Sequence, residues 1–494
     1  MKHRGLLLLA FLLPLISAAQ TPTLVQHVTC PNSGAFGSGF GGTINATNPD
    51  YYCPLPELAQ AGNSILMGFF ADNTGSPTWT VSDDKSNTWN LASSATDSSG
   101  NIFRVYYASN IAAGTHMLHI HQTAATAGYL AVSASEYYNV GGLDASACTA
   151  GSSSSTSITA GSITPTVLGD LLWQWAVNAA VANVSPYTVG AQSNITWQFL
   201  GTDIHDGDAV QAGIYNSTSA INPSFTGTSE KWDSCVMAFK PASAGNAPAS
   251  AFRIVHMQHA QQASSDPVTY TNQFPTSGNL MVMSFFSGGN RITGVTSNPS
   301  NTWTPTGSPV GDGVQTMDQI YYAANVVTSN TLTYTVTQSG TLTGTSFMMY
   351  DITGAASSPF DKDSGGESGV QTAPSGTPTL KTCDACFTPS AANELVTGNF
   401  GEAWCSSTGL NSEGLFDTAY YTGNSYSGPQ SVDQNNGWFH FYSPNTNPVT
   451  VTWAQTCGNN SNNNAWTGRV AAFKPGNLGN QPPAPPTQLK AVVN

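Results

Sequence analysis

The sequence predicts an all-β protein made of two tandem antiparallel β-sandwich domains of jelly-roll type. Three observations support this prediction: short apolar or alternating runs rich in β-branched and aromatic residues, the lack of a helical apolar stripe, and a long internal repeat. Such runs, punctuated by Gly, Ser, Asn and Pro, are typical of strands joined by turns. A repeat of the same strand pattern predicts the same domain twice.

The repeat relates four segments of the first half of the chain to four of the second. The offset is roughly 215 residues for the first three pairs and 234 for the last, so the second copy is about twenty residues longer in its second half. These offsets are far above the roughly 20–50 residues of solenoid repeats and indicate domain duplication. The paired segments are GNSILMGFF (62–70) with GNLMVMSFF (278–286), SNTW (86–89) with SNTW (300–303), VYYASN (105–110) with IYYAAN (320–325), and VMAFKP (236–241) with VAAFKP (470–475).

The two ends of the chain differ from the repeats. A basic start, an apolar run and the triplet Ser17, Ala18, Ala19 predict a secretory signal peptide over residues 1–19. The first module is predicted over 20–243, a small-residue linker over 244–250, and the second module over 251–476. A Pro-rich tail takes up 477–494. The chain is therefore expected to be secreted, outside the cell or in its envelope.

Composition narrows the classes of partner. Charged residues make up 8% of the chain, and the formal net charge is −14. A negative field repels phosphate backbones and anionic lipids, so neither nucleic acid binding nor membrane insertion is expected. No cofactor is predicted, although one loop leaves calcium open. A polysaccharide or cell-surface glycan is the expected partner, and the sequence leaves the oligomeric state undecided.

Eight cysteines in an exported chain predict disulfides. Each half holds four, and four cysteines allow three pairings, which their spacing does not decide. For the first half the working expectation pairs neighbours along the chain. A four-thiolate zinc site is the alternative in the second half. The cysteines are Cys30, Cys53, Cys148 and Cys235 in the first half, and Cys383, Cys386, Cys405 and Cys457 in the second.

Two tryptophans are the leading ligand-binding candidates. Trp173 and Trp175 flank Gln174 in a predicted strand, so both indoles point to one face. Their counterparts in the second copy are Thr397 and Asn399, which indicates that the shared core does not require tryptophan. Flat aromatic faces suit sugar rings. Ordinary core packing is the alternative, as it is for the repeat-equivalent tryptophans of the two SNTW segments.

A loop and a strand offer candidate metal ligands. Asp203, Asp206 and Asp208 surround an Asp-Gly turn, and oxygen-rich loops can hold calcium. A hairpin turn accounts for the same residues without a metal ion. His119 and His121 share one face of a predicted strand and form a second candidate.

The histidine pair has points against it. Aligning the two copies on sequence places Tyr334 and Val336 opposite His119 and His121. No third ligand is evident from the sequence, and exposed strand histidines are common. The motifs of hydrolases, zinc proteases and phosphate-binding loops are missing as well, so no catalytic residue is predicted and the chain is not expected to be an enzyme.

The repeated segments resemble a sandwich module that recurs in large secreted proteins of soil bacteria, notably Acidobacteria. The resemblance rests on Gly-Asn before an apolar strand, Ser-Asn-Thr-Trp, Tyr-Tyr-Ala-x-Asn, the strands beginning Asp170-Leu171-Leu172 and Glu394-Leu395-Val396, and the closing Ala-Phe-Lys. It covers residues 22–476 and implies architecture without an activity. The Pro-rich tail is similar to the start of a fibronectin type III domain.

These observations favour a non-catalytic extracellular protein that acts in adhesion or carbohydrate binding. Two copies of a weak site on one chain would gain avidity. A structural spacer within a larger surface protein and a polysaccharide-active enzyme with an unrecognised site are the alternatives.

Overall fold

The computed structural model of the chain describes residues 20–30, 50–71, 78–123, 130–151, 153–178, 187–203, 208–262, 269–287, 291–311, 317–339, 345–372, 379–402, 421–422, 425–431, 436–455 and 463–476. All regular elements in these ranges are strands, which confirms the all-β class. No helix long and apolar enough to cross a membrane occurs among them. The predicted signal peptide and tail lie outside the described residues.

The first copy of the repeat contributes fifteen strands. Their bounds are β1 Thr23–Thr29, β2 Asp50–Pro54, β3 Ser64–Ala71, β4 Trp79–Asp83, β5 Asn90–Thr96, β6 Ile102–Ser109, β7 Met117–Gln122, β8 Leu130–Tyr138, β9 Val140–Thr149, β10 Ser155–Thr159, β11 Asp170–Asn178, β12 Ile195–Asp203, β13 Asp208–Tyr215, β14 Ser224–Glu230 and β15 Trp232–Pro241.

The second copy contributes the remaining strands. Their bounds are β16 Arg253–Gln262, β17 Thr269–Thr276, β18 Leu280–Ser287, β19 Ile292–Asn298, β20 Trp303–Pro305, β21 Val310–Gly311, β22 Met317–Ala324, β23 Ser329–Gln338, β24 Thr345–Thr353, β25 Ala355–Asp363, β26 Glu367–Thr372, β27 Thr379–Phe387, β28 Leu395–Glu402, β29 Tyr421–Thr422, β30 Ser425–Ser431, β31 Asn436–Tyr442, β32 Val449–Gln455 and β33 Asn463–Pro475.

One sheet runs through both copies. Its eleven strands include β20-β22-β18-β24-β16-β1-β8-β3-β6-β5 in spatial order, with β21 beside β22. The copies meet where β1 and β16 pair in parallel, with His27 opposite His256. The repeat predicts that each copy is a body with its own interior. The structure instead joins them edge to edge, and one apolar cluster contains residues of both.

The strand order of this shared sheet recurs in the layers packed against it. The order β5-β6-β3-β8-β1 in the first copy matches β12-β13-β11-β15-β9. In the second copy β22-β18-β24-β16 matches β31-β28-β33-β25. Each copy thus divides further into two similar sandwiches. Each sandwich also carries a small outer sheet, namely β2-β7-β4, β10-β14, β17-β23-β19 and β27-β32-β30-β29.

Strands that lie between two layers are buried along their whole length. All eight residues of β3 and all nine of β11 are buried, because each of these strands has a sheet on both faces. Gly68 of β3 makes room for a neighbour, since a Cβ atom there would lie 2.5 Å from the indole of Trp175. In the second copy Ser284 takes the place of Gly68, and Asn399 takes the place of Trp175. The larger residue on one strand is thus matched by a smaller residue on the other.

Two disulfides lie in the first copy. Cys30 pairs with Cys53, and Cys148 pairs with Cys235, which confirms the pairing expected from neighbours along the chain. The first bond joins the outer sheet β2-β7-β4 to the shared sheet, whereas the second joins adjacent strands β9 and β15. Disulfides are typical of oxidising compartments, so the pairs agree with an extracellular location.

Candidate metal centre

The site lies on the outer sheet β2-β7-β4 of the first copy. Alternate side chains of a strand point to opposite faces. In β2 and β7 the apolar set Tyr51, Cys53, Leu118 and Ile120 is buried against the shared sheet. The opposite face therefore carries Asp50 and Tyr52 of β2 and His119 and His121 of β7.

Strand pairing brings three ligand atoms together on this face. Asp50 is the cross-strand partner of His121, and Tyr52 is the partner of His119. Asp50 Oδ1 lies 2.7 Å from His119 Nε2 and 2.7 Å from His121 Nδ1. All three ligand atoms lie within 4.8 Å of one another. Two imidazoles and a carboxylate so placed can chelate one metal ion.

The site is accessible from solvent without being fully exposed. The side chains of His119, His121 and Asp50 are 26%, 38% and 25% exposed. A metal ion held by these three groups would keep further coordination positions open on the solvent side. Catalytic and exchangeable zinc sites commonly have three protein ligands and one such open position.

Neighbouring side chains hold His119 in place. Ser82 of β4 lies with Oγ 3.1 Å from His119 Nδ1, the ring nitrogen that does not face Asp50. The ring of Tyr52 stacks on His119 with centroids 4.6 Å apart and an interplanar angle of 10°. Contacts of this kind around a metal ligand fix the tautomer and the orientation of the imidazole.

Asp50 is held in the charged form that a metal ion requires. Its partial burial raises the pKa, but hydrogen bonds from His121 and His119 and the charge of the two imidazoles outweigh burial, so the net pKa lies below the ordinary value. The carboxylate is therefore ionised at neutral pH and carries the negative charge that attracts a cation.

The sequence pattern identifies the two histidines but not the third ligand. Asp50 lies 69 residues before His119 in the chain, and only the pairing of β2 with β7 brings them together. The alternation of Asp50 and Tyr52 with Tyr51 and Cys53 is a signal that could have indicated a strand here. It does not show which strand would pair with it.

The register of the second copy corrects the counterparts of the histidines. Asp83 of the first copy and Ser297 of the second are equivalent, because each accepts a hydrogen bond from the indole N–H of the tryptophan in its SNTW segment. Asp83 opposes Leu118 and Ser297 opposes Tyr334, so Leu118 and Tyr334 are equivalent as well. The counterparts of His119 and His121 are therefore Thr335 and Thr337. Tyr334 and Val336, which sequence alignment suggested, are buried in the core. Asp50 corresponds to Thr269 by the same register.

Trp173 and Trp175 cannot serve as a binding platform in this fold. Both are fully buried in the cluster between the shared sheet and β9-β15-β11-β13-β12. Trp173 Nε1 donates a hydrogen bond to Ser135 Oγ at 2.9 Å, and Trp175 Nε1 donates to Asp208 Oδ2 at 3.5 Å. The two indoles do share one face of β11, as predicted, but that face is packed and no sugar ring can reach it.

The proposed calcium loop is only partly described. Asp206 lies outside the described residues, and of Asp203 only the backbone is described. Asp208 is buried, and its Oδ2 accepts a hydrogen bond from Ser133 Oγ at 2.8 Å. Its carboxylate faces the core, so Asp208 does not contribute to a solvent-facing calcium site.

The four cysteines of the second copy are also only partly described. Cys386 is disulfide-bonded, which removes it from a four-thiolate zinc site. Cys405 and Cys457 lie outside the described residues, and only the backbone of Cys383 is described. Among the described residues, the group of side chains placed so that it could hold a metal ion is Asp50, His119 and His121. A comparison with protein families, curated proteins and solved structures finds no match to this chain.

Proposed function

We propose that this chain is a secreted, non-catalytic β-sheet protein that binds a divalent transition-metal ion through Asp50, His119 and His121. The observation that carries the proposal is the convergence of Asp50 Oδ1 on both imidazoles, at 2.7 Å from each. Two nitrogen ligands and one carboxylate oxygen suit Zn²⁺ and its neighbours in the first transition series. Calcium prefers six to eight oxygen ligands, which this site does not offer.

The difference between the two copies supports a specific role for the site. Both copies build the same three-stranded outer sheet, β2-β7-β4 in the first and β17-β23-β19 in the second. All three ligand positions carry threonine in the second copy. The fold therefore forms without the two imidazoles and the carboxylate, and their presence in the first copy calls for another reason.

Adhesion through glycan stacking is no longer the favoured form of binding. That expectation rested on Trp173 and Trp175, and both are buried. Secretion remains part of the proposal, supported by the predicted signal peptide and by the Cys30–Cys53 and Cys148–Cys235 disulfides.

Zinc titration of the full chain tests this proposal. Chain purified after chelator treatment is titrated with ZnCl₂ in a calorimeter, and we expect one tightly bound zinc ion per chain. The variant His119→Thr with His121→Thr installs the residues of the second copy, so it should fold normally and lose this binding. Circular dichroism verifies that the variant keeps its β-sheet spectrum.

Two controls define specificity. The variant Thr335→Val with Thr337→Val changes the equivalent face of the second copy and should bind zinc as the unmodified chain does. A parallel titration with CaCl₂ should show no binding at the same site. Unchanged zinc binding by the His119→Thr, His121→Thr variant would disprove the proposal.

The continuous shared sheet favours a second role, that of a rigid spacer. Parallel pairing of β1 with β16 makes the two copies one body. Small-angle X-ray scattering should then fit a single rigid shape. Scattering that requires two bodies moving independently would rule this role out.

A further inference from the structure

We propose that the Cys30–Cys53 disulfide holds Asp50 in the metal centre, so that breaking this bond weakens metal binding. The inference rests on the proposed function, because it concerns the same site. It adds a covalent element that sets the position of one ligand and links metal affinity to the redox state of two buried cysteines.

The strand that carries Asp50 pairs with a single neighbour among the described strands. β2 has five residues and lies at the edge of its sheet, where β7 is its one partner among the described strands. Asp50 is the first residue of the strand. Edge strands have one set of ladder hydrogen bonds instead of two, so β2 depends on its inward-facing side chains for further anchorage.

Cys53 supplies that anchorage on the inward face. Its bond to Cys30 crosses from the outer sheet to the shared sheet. Cys30 follows β1, and its backbone N–H donates to Val132 O at 3.0 Å, which fixes it against β8. The disulfide thus attaches the edge strand, three residues from the metal ligand, to the centre of the fold. A disulfide bond acts chiefly by reducing the number of conformations that the chain can adopt.

The second copy shows the same sheet without this attachment. Its equivalent of β2 is β17, which is longer, with eight residues against five. Register pairs Cys53 with Leu118 and Asn272 with Tyr334, so Asn272 takes the place of Cys53. The disulfide and the three metal ligands therefore occur together in one copy and are both replaced in the other.

Reduction of the bond has a defined stoichiometry. A thiolate of an external dithiol attacks one sulfur, the S–S bond breaks, and the second thiol of the reductant resolves the mixed disulfide. The protein gains two electrons and two protons as two thiols, and the dithiol becomes a disulfide. Both cysteines are buried, so the reductant gains access when β2 opens. His119 and His121 stay on the central strand β7, and a weaker two-imidazole site remains.

The test compares two disulfide variants of the full chain. Zinc affinity is measured by competition with a chromophoric chelator. The variant Cys30→Ala with Cys53→Ala should bind zinc about 10- to 100-fold more weakly, the range typical of losing support around a metal ligand. The variant Cys148→Ala with Cys235→Ala removes the other disulfide, in the layer away from the site, and should keep the affinity of the unmodified chain.

A positioning role predicts a specific coupling. In an Asp50→Ala background, the Cys30→Ala, Cys53→Ala change should cause little further loss, because the ligand that the disulfide positions is already gone. Additive losses would show a general structural effect and overturn the inference. If the double alanine variant loses its β-sheet spectrum, Cys30→Ala with Cys53→Val refills the buried space and gives the same comparison.

The outcomes separate this inference from the proposed function. Full zinc affinity in the Cys30→Ala, Cys53→Ala variant, combined with loss in the His119→Thr, His121→Thr variant, would overturn the inference and leave the metal site standing. An unmodified chain that binds no zinc would overturn both.

Discussion

Asp50 and His121 are cross-strand partners on β2 and β7, and Asp50 Oδ1 lies 2.7 Å from His121 Nδ1. This contact depends on strand register, because a shift of one residue would turn Asp50 to the buried face. The second copy keeps this register but carries threonine at the three equivalent positions, so the candidate metal centre belongs to the first copy.

The first prediction is that the site can be transplanted. The changes Thr269→Asp, Thr335→His and Thr337→His place the same residue types at the equivalent register positions of the second copy. We expect the zinc stoichiometry to rise from one to two per chain in a calorimetric titration. The new site should be the weaker one, since Asn272 offers no disulfide to β17.

The transplant has a matched control. Thr335→His with Thr337→His adds the same two histidines without the carboxylate at position 269. It should bind zinc more weakly than the three-residue transplant. Equal affinity in the two variants would show that the carboxylate contributes nothing to the site.

The second prediction concerns the buried indoles. Trp173→Ala should lower the free energy of unfolding by about 3–5 kcal/mol, because it leaves a large cavity between two sheets. Chemical denaturation of the full chain measures this change. The variant should show no selective loss of retention on polysaccharide columns. A stable Trp173→Ala chain that loses polysaccharide binding would restore the glycan hypothesis.

The third prediction tests the close approach of Gly68 to Trp175. Gly68→Ala should destabilise the fold by about 1–3 kcal/mol, the range for overpacking a core, because the new Cβ meets the indole at 2.5 Å. Gly142→Ala is the control, since nothing lies within 4 Å of a Cβ there. Combining Gly68→Ala with Trp175→Leu should recover part of the loss. Equal effects of the two glycine changes would contradict this packing.

The fourth prediction is that stability falls as pH rises towards neutrality. Burial, with the neighbouring Asp144 carboxylate, raises the pKa of Asp170 from 3.8 to about 7. Burial also raises the pKa of Glu394 from 4.5 to about 7, with Asp361 adding to the shift. At a pH between the ordinary pKa and the raised pKa of these two groups, the folded chain binds more protons than the unfolded chain. Their contribution to the free energy of unfolding is therefore complete at low pH and is lost as the pH rises through about 7.

Thermal unfolding in the presence of a chelator measures this dependence. The melting temperature should be higher at pH 5 than at pH 8. Asp170→Asn with Glu394→Gln should flatten the profile in part, because Asp233 and Glu57, whose pKa values burial also raises to about 7, remain. A melting temperature that increases steadily from pH 5 to pH 8 would contradict the assignment of these buried acids.

Sequence patterns predicted the strands well where burial follows a simple rule. The apolar runs and the pairing of Cys30 with Cys53 and of Cys148 with Cys235 agree with the structure. The repeated closing lysines gain an explanation too. Lys240 Nζ lies 3.2 Å from Asp144 Oδ1 and forms an ion pair with it. At the equivalent position of the second copy, Lys474 Nζ lies 3.7 Å from Asp361 Oδ1.

The layers and the site depended on contacts that local patterns do not contain. The largely apolar sequence of β11 indicates burial but does not show which layers cover the strand, so Trp173 and Trp175 were expected at a surface. The join of β1 to β16 and the approach of Asp50 to His119 both depend on pairing between distant segments. One residue of register separates Tyr334, which is buried, from Thr335 on the outer face.

X-ray absorption at the zinc edge of the zinc-loaded full chain identifies the atoms that bind the ion. We expect a first shell with two imidazole nitrogens and a carboxylate oxygen, and loss of the imidazole scattering in the His119→Thr, His121→Thr variant. A first shell of oxygen or sulfur ligands alone, or a spectrum that the variant leaves unchanged, would contradict it.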